Sequence, residues 1–157
     1  MNKNKSKSKI LNLGAGKEPI KSAVNHDITK HSKYIDIAWD LNNLPWPWPD
    51  NFFDKIRAWA VLEHLEIGLL KSMNECWRIL RPKGILVIKL PYWKSEGCWD
   101  DPTHMRGYTL NTMNYFDPDT KYGNQYDFYT PFKWKILKKE FIKGTNISIF
   151  FEVQVRK

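Results

Sequence analysis

Short apolar runs, each cut by glycine, proline or charged residues, alternate with polar stretches along this chain, and only one segment has the spacing of a long amphipathic helix. Ile10-Leu11-Asn12-Leu13 stops abruptly at Gly14-Ala15-Gly16, the pattern of a buried strand ended by a tight turn. A second strand is predicted around residues 23–25, and a short third strand or edge piece over residues 34–38. Little chain separates the first two strands, and Pro19 biases Glu18 toward extended geometry, so the first crossover is expected to be short and barely helical. Residues 53–61 read as a fourth strand. Beyond them Leu69, Leu70, Met73, Cys76, Trp77 and Leu80 recur at helical spacing, which predicts a helix over 68–80. Arg81-Pro82-Lys83-Gly84 is expected to end it, and residues 85–90 form a near-continuous apolar strand of the kind covered on both faces. Two last strands, over 133–142 and 146–155, flank Lys143-Gly144-Thr145 in the manner of a hairpin.

This order predicts an α/β fold: a Rossmann-like, doubly wound, mostly parallel sheet with a C-terminal antiparallel hairpin and a shortened first helix. A chain of 157 residues suits one domain, assigned to residues 10–157, because no repeat or linker divides it. Residues 1–9, where Lys3, Lys5, Lys7 and Lys9 alternate with Asn and Ser, read as a basic disordered tail. Residues 91–131 are rich in Pro, Gly, Asp and aromatics and too long for a plain connector, so they read as a substrate or lid loop. Pro45, Pro47 and Pro49 stiffen a loop whose Trp46 and Trp48 either wall a pocket for a flat ligand or cover the sheet.

Net charge narrows the partners: 25 Lys and Arg against 17 Asp and Glu give +8, which favours an anionic partner, nucleic acid among them. Only Cys76 and Cys98 are present, so no disulfide framework is expected and a reducing cytoplasm is the natural compartment. No apolar stretch approaches the roughly 20 residues of a membrane span, and the basic start lacks a signal peptide's apolar core, so a soluble, unprocessed protein is expected.

A Gly-Ala-Gly turn after a strand lets backbone N–H groups approach a ligand, but the third glycine of a dinucleotide fingerprint is missing. Asp27, eleven residues past Gly16 at the end of the second strand, suits both hydroxyls of an adenosine ribose. Asp36, twenty residues past Gly16, has the spacing of a nicotinamide dinucleotide site, which keeps an NAD-type oxidoreductase as an alternative.

Taken in order, Ile10-Leu-Asn-Leu-Gly-Ala-Gly16, Asn25-His-Asp27, Trp39-Asp-Leu41, Asn51-Phe-Phe-Asp-Lys-Ile56, Val61-Leu-Glu-His-Leu65 and Leu80-Arg-Pro-Lys-Gly-Ile-Leu-Val-Ile88 resemble the class I S-adenosylmethionine-dependent methyltransferase family over about residues 10 to 90. The resemblance implies S-adenosylmethionine as cofactor. It places Asn12, Gly14, Ala15 and Gly16 under the methionine part, Asp27 on the ribose, and Asp40-Leu41 at the adenine edge. Ala60, Val61 and Glu63 fall beside the sulfonium. Asn12 stands where many members carry an acid.

His64 is a candidate general base, with an ordinary pKa near neutrality. The run from Asp100 to Arg106 offers Asp101 and His104 as further catalytic candidates and Arg106, with Tyr92, for an acceptor bearing an anionic group; the same run also reads as a turn held by its own hydrogen bonds. His26, Asp27, His31, His64, Cys98 and His104 show no recognised ligand spacing, so no metal site is expected. The methyl acceptor is not legible. A catalytically degenerate methyltransferase-fold module binding nucleic acid through its basic surface is the second reading.

Overall fold

A computed structural model describes residues 8–157. Seven strands form one sheet in the order β3-β2-β1-β4-β5-β7-β6. β1 (Ile10–Leu13), β2 (Ala23–Asp27), β3 (Ile37–Ala38), β4 (Phe53–Trp59) and β5 (Leu80–Pro91) run parallel, and β7 (Ser148–Val155) pairs antiparallel with both β5 and β6 (Trp134–Ile142). The last connection is therefore the expected hairpin, inserted so that β7 lies inside and β6 forms the edge. Of the basic segment assigned to residues 1–9, residues 1–7 lie outside the described residues. Lys9 is tied to the sheet, its N–H donating to Asp54 Oδ2 at 2.7 Å.

Alternation along the strands buries one face. Leu11, Leu13, Ile56, Ala58, Leu86, Ile88, Phe151 and Val153 point into a core closed by α1 (Gly68–Ile79), which contributes Leu69, Met73, Cys76 and Ile79. The short α2 (Lys121–Gln125) follows a 3-10 turn at Thr112–Phe116 that adds Met113 and Phe116 to the same core.

The opposite face differs from the expectation of a sheet covered on both sides. Among the described residues no α-helix packs there, because residues 14–22, the whole β1–β2 connection, form turns and irregular backbone rather than a helix. Ile10, Lys55, Arg57, Trp59, Ile85 and Lys89 stand on it half-buried or exposed, with Val87 the buried exception. Arg57 lies 4.0 Å from the Trp59 ring centroid and pairs with Glu18 at 2.9 Å. The helix also ends differently from expectation: β5 already begins at Leu80, opposite Phe53, and Arg81 to Gly84 bulge within the strand, with Lys83 in the left-handed region (φ 62°).

No helix joins β3 to β4 either, and the proline-rich loop does that work. Trp46 and Trp48 are buried in the core cluster, each removing roughly 200 Å² from water, so they cover the sheet and do not wall an adenine pocket. Arg78 of α1 clamps the loop, donating to the carbonyls of Trp46 (3.0 Å) and Trp48 (2.7 Å) while Glu75 and Asp50 hold its guanidinium. All that is needed to replace a helix here is two indoles and one planar fork of donors.

Candidate active site

Parallel strands bring their carboxyl ends together, and four of these ends carry the residues expected to hold a cofactor. Gly14 and Gly16 both adopt positive φ (58° and 52°), which L side chains rarely take. A β-carbon on Gly14 would lie 2.8 Å from Val61 Cγ2, so this glycine lets the turn close against the end of β4, whereas among the described residues nothing within 4 Å faces the same position on Gly16. The Gly16 side is open. The Gly16 N–H donates to Asp27 Oδ2 at 2.7 Å and the Ile28 N–H to Oδ1 at 2.8 Å, which fixes the carboxylate beside the turn. The Ala15 N–H donates to the His26 carbonyl at 2.8 Å.

His26, absent from the expected site residues, links three of these pieces. Its ring accepts from the Gly14 N–H at 3.4 Å through Nδ1 and meets the Trp39 carbonyl at 2.8 Å through Nε2; since a carbonyl only accepts, Nε2 carries the hydrogen. The ring also packs edge-on to Trp48. Its burial was the one signal, and burial is not visible in a sequence. Burial pulls the His26 pKa below its ordinary 6.5, against the opposing effects of the Trp39 carbonyl and Asp27. A histidine with a depressed folded pKa stabilises fully above the unfolded value of 6.5, and that stability is lost as pH falls from there through the folded value. The melting temperature is therefore expected to drop between pH 7.5 and pH 5, and His26→Gln to remove the part of that slope this ring causes.

Asp40 follows β3 and accepts from the Asn42 N–H at 2.9 Å through Oδ1. Leu41 is buried, with its carbonyl taken by the Trp46 indole N–H at 2.9 Å. Asn12, expected beside the cofactor, is spent within the protein: Nδ2 donates to the Glu18 carbonyl and to Asn25 Oδ1, and Oδ1 accepts from Arg57. Asp36 is likewise engaged, its carboxylate accepting from the Asn25 N–H at 2.8 Å in the chain before β3, while Asp27 ends β2.

Ala60 follows β4 in the left-handed region (φ 52°), and a 3-10 turn at Leu62–His64 comes next. This turn and the segment from Cys98 to Met105 bring together Glu63, His64, Asp101 and His104. The Met105 N–H donates to the Glu63 carbonyl at 2.8 Å. The His64 and His104 rings lie 4.7 Å apart. His64 Nδ1 meets Thr103 Oγ1 at 2.7 Å, and that hydroxyl donates to Asp101 Oδ1 at 2.6 Å, a relay in which Thr103 is the member sequence reasoning did not assign. The Thr103 hydroxyl and the Thr103 backbone N–H (2.9 Å) both donate to Asp101 Oδ1 and hold its carboxyl below its ordinary range. Burial lowers the His64 pKa, with His104 adding to the effect and Asp101 opposing it. Burial also pushes the Glu63 carboxyl up to about 7.

Tyr92 is not brought into this group; its ring packs 4.9 Å from Phe141 and its backbone bridges to Tyr108. Arg106 lines a separate cavity of about 720 Å³ at the start of α1, together with Gly68, Tyr115, Tyr122 and Tyr129. That cavity lies away from the glycine turn, so its size alone does not make it the cofactor site; the acid and open backbone are at Asp27 and Gly16.

A mixed sheet in this strand order, with a glycine turn closing the first strand and an acid ending the second, defines the class I Rossmann-like methyltransferase architecture. A family model described as a methyltransferase domain matches residues 11–88, and the chain belongs to the class I S-adenosylmethionine-dependent methyltransferase family. No curated protein sequence matches the chain. Among solved structures it is similar to a SAM dependent methyltransferase from Archaeoglobus fulgidus (14% identity, TM-score 0.62, covering 94% of this chain and 86% of that one). It is also similar to a Burkholderia thailandensis 1,6-didemethyltoxoflavin-N1-methyltransferase with bound S-adenosylhomocysteine (11%, 0.60, 96% and 72%) and to the cyclase SpnF (13%, 0.63, 95% and 74%). A cyclase among them illustrates that the fold does not fix the reaction. No helix among the described residues is long and apolar enough to cross a membrane.

Proposed function

We propose that this chain binds S-adenosylmethionine across the ends of β1 to β4 and transfers its methyl group to an acceptor lying against Glu63, His64 and His104. The observation that carries this reading is the open backbone at Gly16 joined to the Asp27 carboxylate, on the same sheet edge as the turn bearing Glu63 and His64. Sulfonium is a good leaving group, so the protein's work is to align acceptor, methyl and sulfur and to exclude water. Gly14, Ala15 and Gly16 lie under the methionine part, and Asp40 with the Leu41 N–H meets the adenine edge. Asp101, acting through Thr103, is a positioning residue for His64. Arg106, on the tyrosine-lined cavity, fits an acceptor with an anionic group and an aromatic or apolar body. Calorimetric titration with S-adenosylmethionine and S-adenosylhomocysteine tests the reading, with micromolar binding expected.

One observation favours the second reading, a module that docks an anionic polymer such as nucleic acid. The uncovered sheet face carries Lys55, Arg57, Lys89 and Lys138 around the aromatic rings of Trp59 and Phe150. A folded protein that binds neither methyl donor nor its product, yet binds single-stranded RNA with an affinity falling steeply with salt, would put this reading first.

A further inference from the structure

Glu63, His64 and His104 converge, and among the described residues no hydrogen bond joins their side chains to one another. The Thr103 hydroxyl gives its hydrogen to Asp101, so the contact between His64 Nδ1 and Thr103 Oγ1 needs the imidazole as donor. His104 Nδ1 lies 2.9 Å from the Cys98 carbonyl, which can only accept. In its neutral form each ring thereby carries its hydrogen on Nδ1 and a lone pair on Nε2. Glu63 is 1% exposed, and its Oε2 has no hydrogen-bond partner among the described residues. One ring nitrogen from each histidine and one Glu63 oxygen lie within 4.8 Å of one another. Lys89 lines the same small cavity without donating to Oε2. A buried acceptor left unpaired costs free energy, and the Glu63 oxygen, with a nitrogen of each half-buried imidazole beside it, is placed to be paired by a shared cation.

We propose that Glu63, His64 and His104 form a site for one divalent transition-metal ion of the zinc class. Two imidazoles and a carboxylate are a donor set that suits zinc, cobalt or iron better than magnesium or calcium, which take oxygen ligands. Three protein ligands leave a fourth position for water or a substrate heteroatom, as in catalytic zinc sites. Ligand atoms around tetrahedral zinc stand roughly 3.4 Å apart, so side-chain movements of about 1 Å close the trio on an ion. The bonds from the Nδ1 atoms to Thr103 and to the Cys98 carbonyl are the orienting contacts that metal-binding imidazoles use. Glu63 and His104 both line a cavity of about 140 Å³, which has room for a water or the reacting group of a substrate. The spacing in the sequence concealed this set, because Thr103 is 39 residues from His64 and only the fold brings the segments together.

Metal binding here is independent of methyl-donor binding, so the two are tested separately. Tag-free protein stripped with a chelator is titrated with Zn²⁺ by calorimetry and with Co²⁺ by visible absorption, with circular dichroism as the check on folding. One ion per chain is expected, bound at least about tenfold more weakly by Glu63→Gln and by His104→Gln and unchanged in His31→Gln. Thr103→Val keeps all three donors but frees the His64 ring, and is also expected to weaken binding about tenfold; it carries the test if a ligand variant fails to fold. Absence of binding by the wild type, or equal affinity in the wild type, Glu63→Gln, His104→Gln and Thr103→Val, overturns the site.

Discussion

Asp27→Ala is expected to weaken S-adenosylhomocysteine binding by about 100-fold or more while leaving the fold intact. An ionised carboxylate offers about four acceptor sites, and in this structure two are taken by the Gly16 and Ile28 N–H groups. The other two are free for the paired hydroxyls of a ribose. Hydrogen bonds to a charged group contribute about 1.5–3 kcal/mol each, so losing both removes about 3 kcal/mol or more. Asp27 is half-buried at the end of a strand, and its removal disturbs only the turn, so stability should change by about 1 kcal/mol or less. Calorimetry with the product avoids turnover and reads the affinity directly. An unchanged affinity in Asp27→Ala, with loss in Asp36→Ala, would move the ribose to the other acid and discard the assignment made from the strand ends.

What could be read from the sequence depended on range. Each element that declares itself through neighbouring residues was legible: β1 through its apolar run and glycine stop, α1 through its amphipathic spacing, and the last two strands through their Lys-Gly-Thr turn. The uncovered sheet face was not, because an apolar run such as Ile85 to Ile88 looks the same whether its second face meets a helix or solvent. In the fold, Leu86 and Ile88 enter the core while Ile85 and Lys89 stand on the open side. The bulge at Arg81 to Gly84 was hidden for a related reason. Pro82 and Gly84 punctuate the chain in either case, and only the pairing of Leu80 with Phe53 makes them part of a strand.

The site divides in the same way. Gly14 and Gly16 lie in the turn after β1 and Asp27 is the last residue of β2, so their positions could be inferred from order alone. His26 and Thr103 could not, since each matters through a partner distant in sequence: His26 through the Trp39 carbonyl, Thr103 through His64. Asn12 is legible only in part. Its place in the motif suggested a ligand contact, but Glu18, Asn25 and Arg57 consume its amide, as a buried polar group on an otherwise apolar strand requires.

The two glycines of the turn should separate packing from binding. Gly14→Ala forces an L side chain to φ 58° and sets its β-carbon 2.8 Å from Val61 Cγ2. The left-handed backbone costs about 1–2 kcal/mol and the overlap about 1–3 kcal/mol, so urea denaturation should show a loss of about 2–5 kcal/mol. Combining it with Val61→Ala removes the γ-methyl overlap but neither the backbone cost nor the Val61 β-carbon, 2.9 Å away, so about 1 kcal/mol should return beyond additivity. Gly16→Ala pays the same backbone cost with nothing within 4 Å to strike, so it should lose only about 1–2 kcal/mol of stability. Its methyl group would instead occupy the space through which a cofactor approaches the turn, and product affinity should fall more than stability does. A Gly16→Ala protein that binds S-adenosylhomocysteine as tightly as the wild type would mean that the cofactor does not lie over this turn.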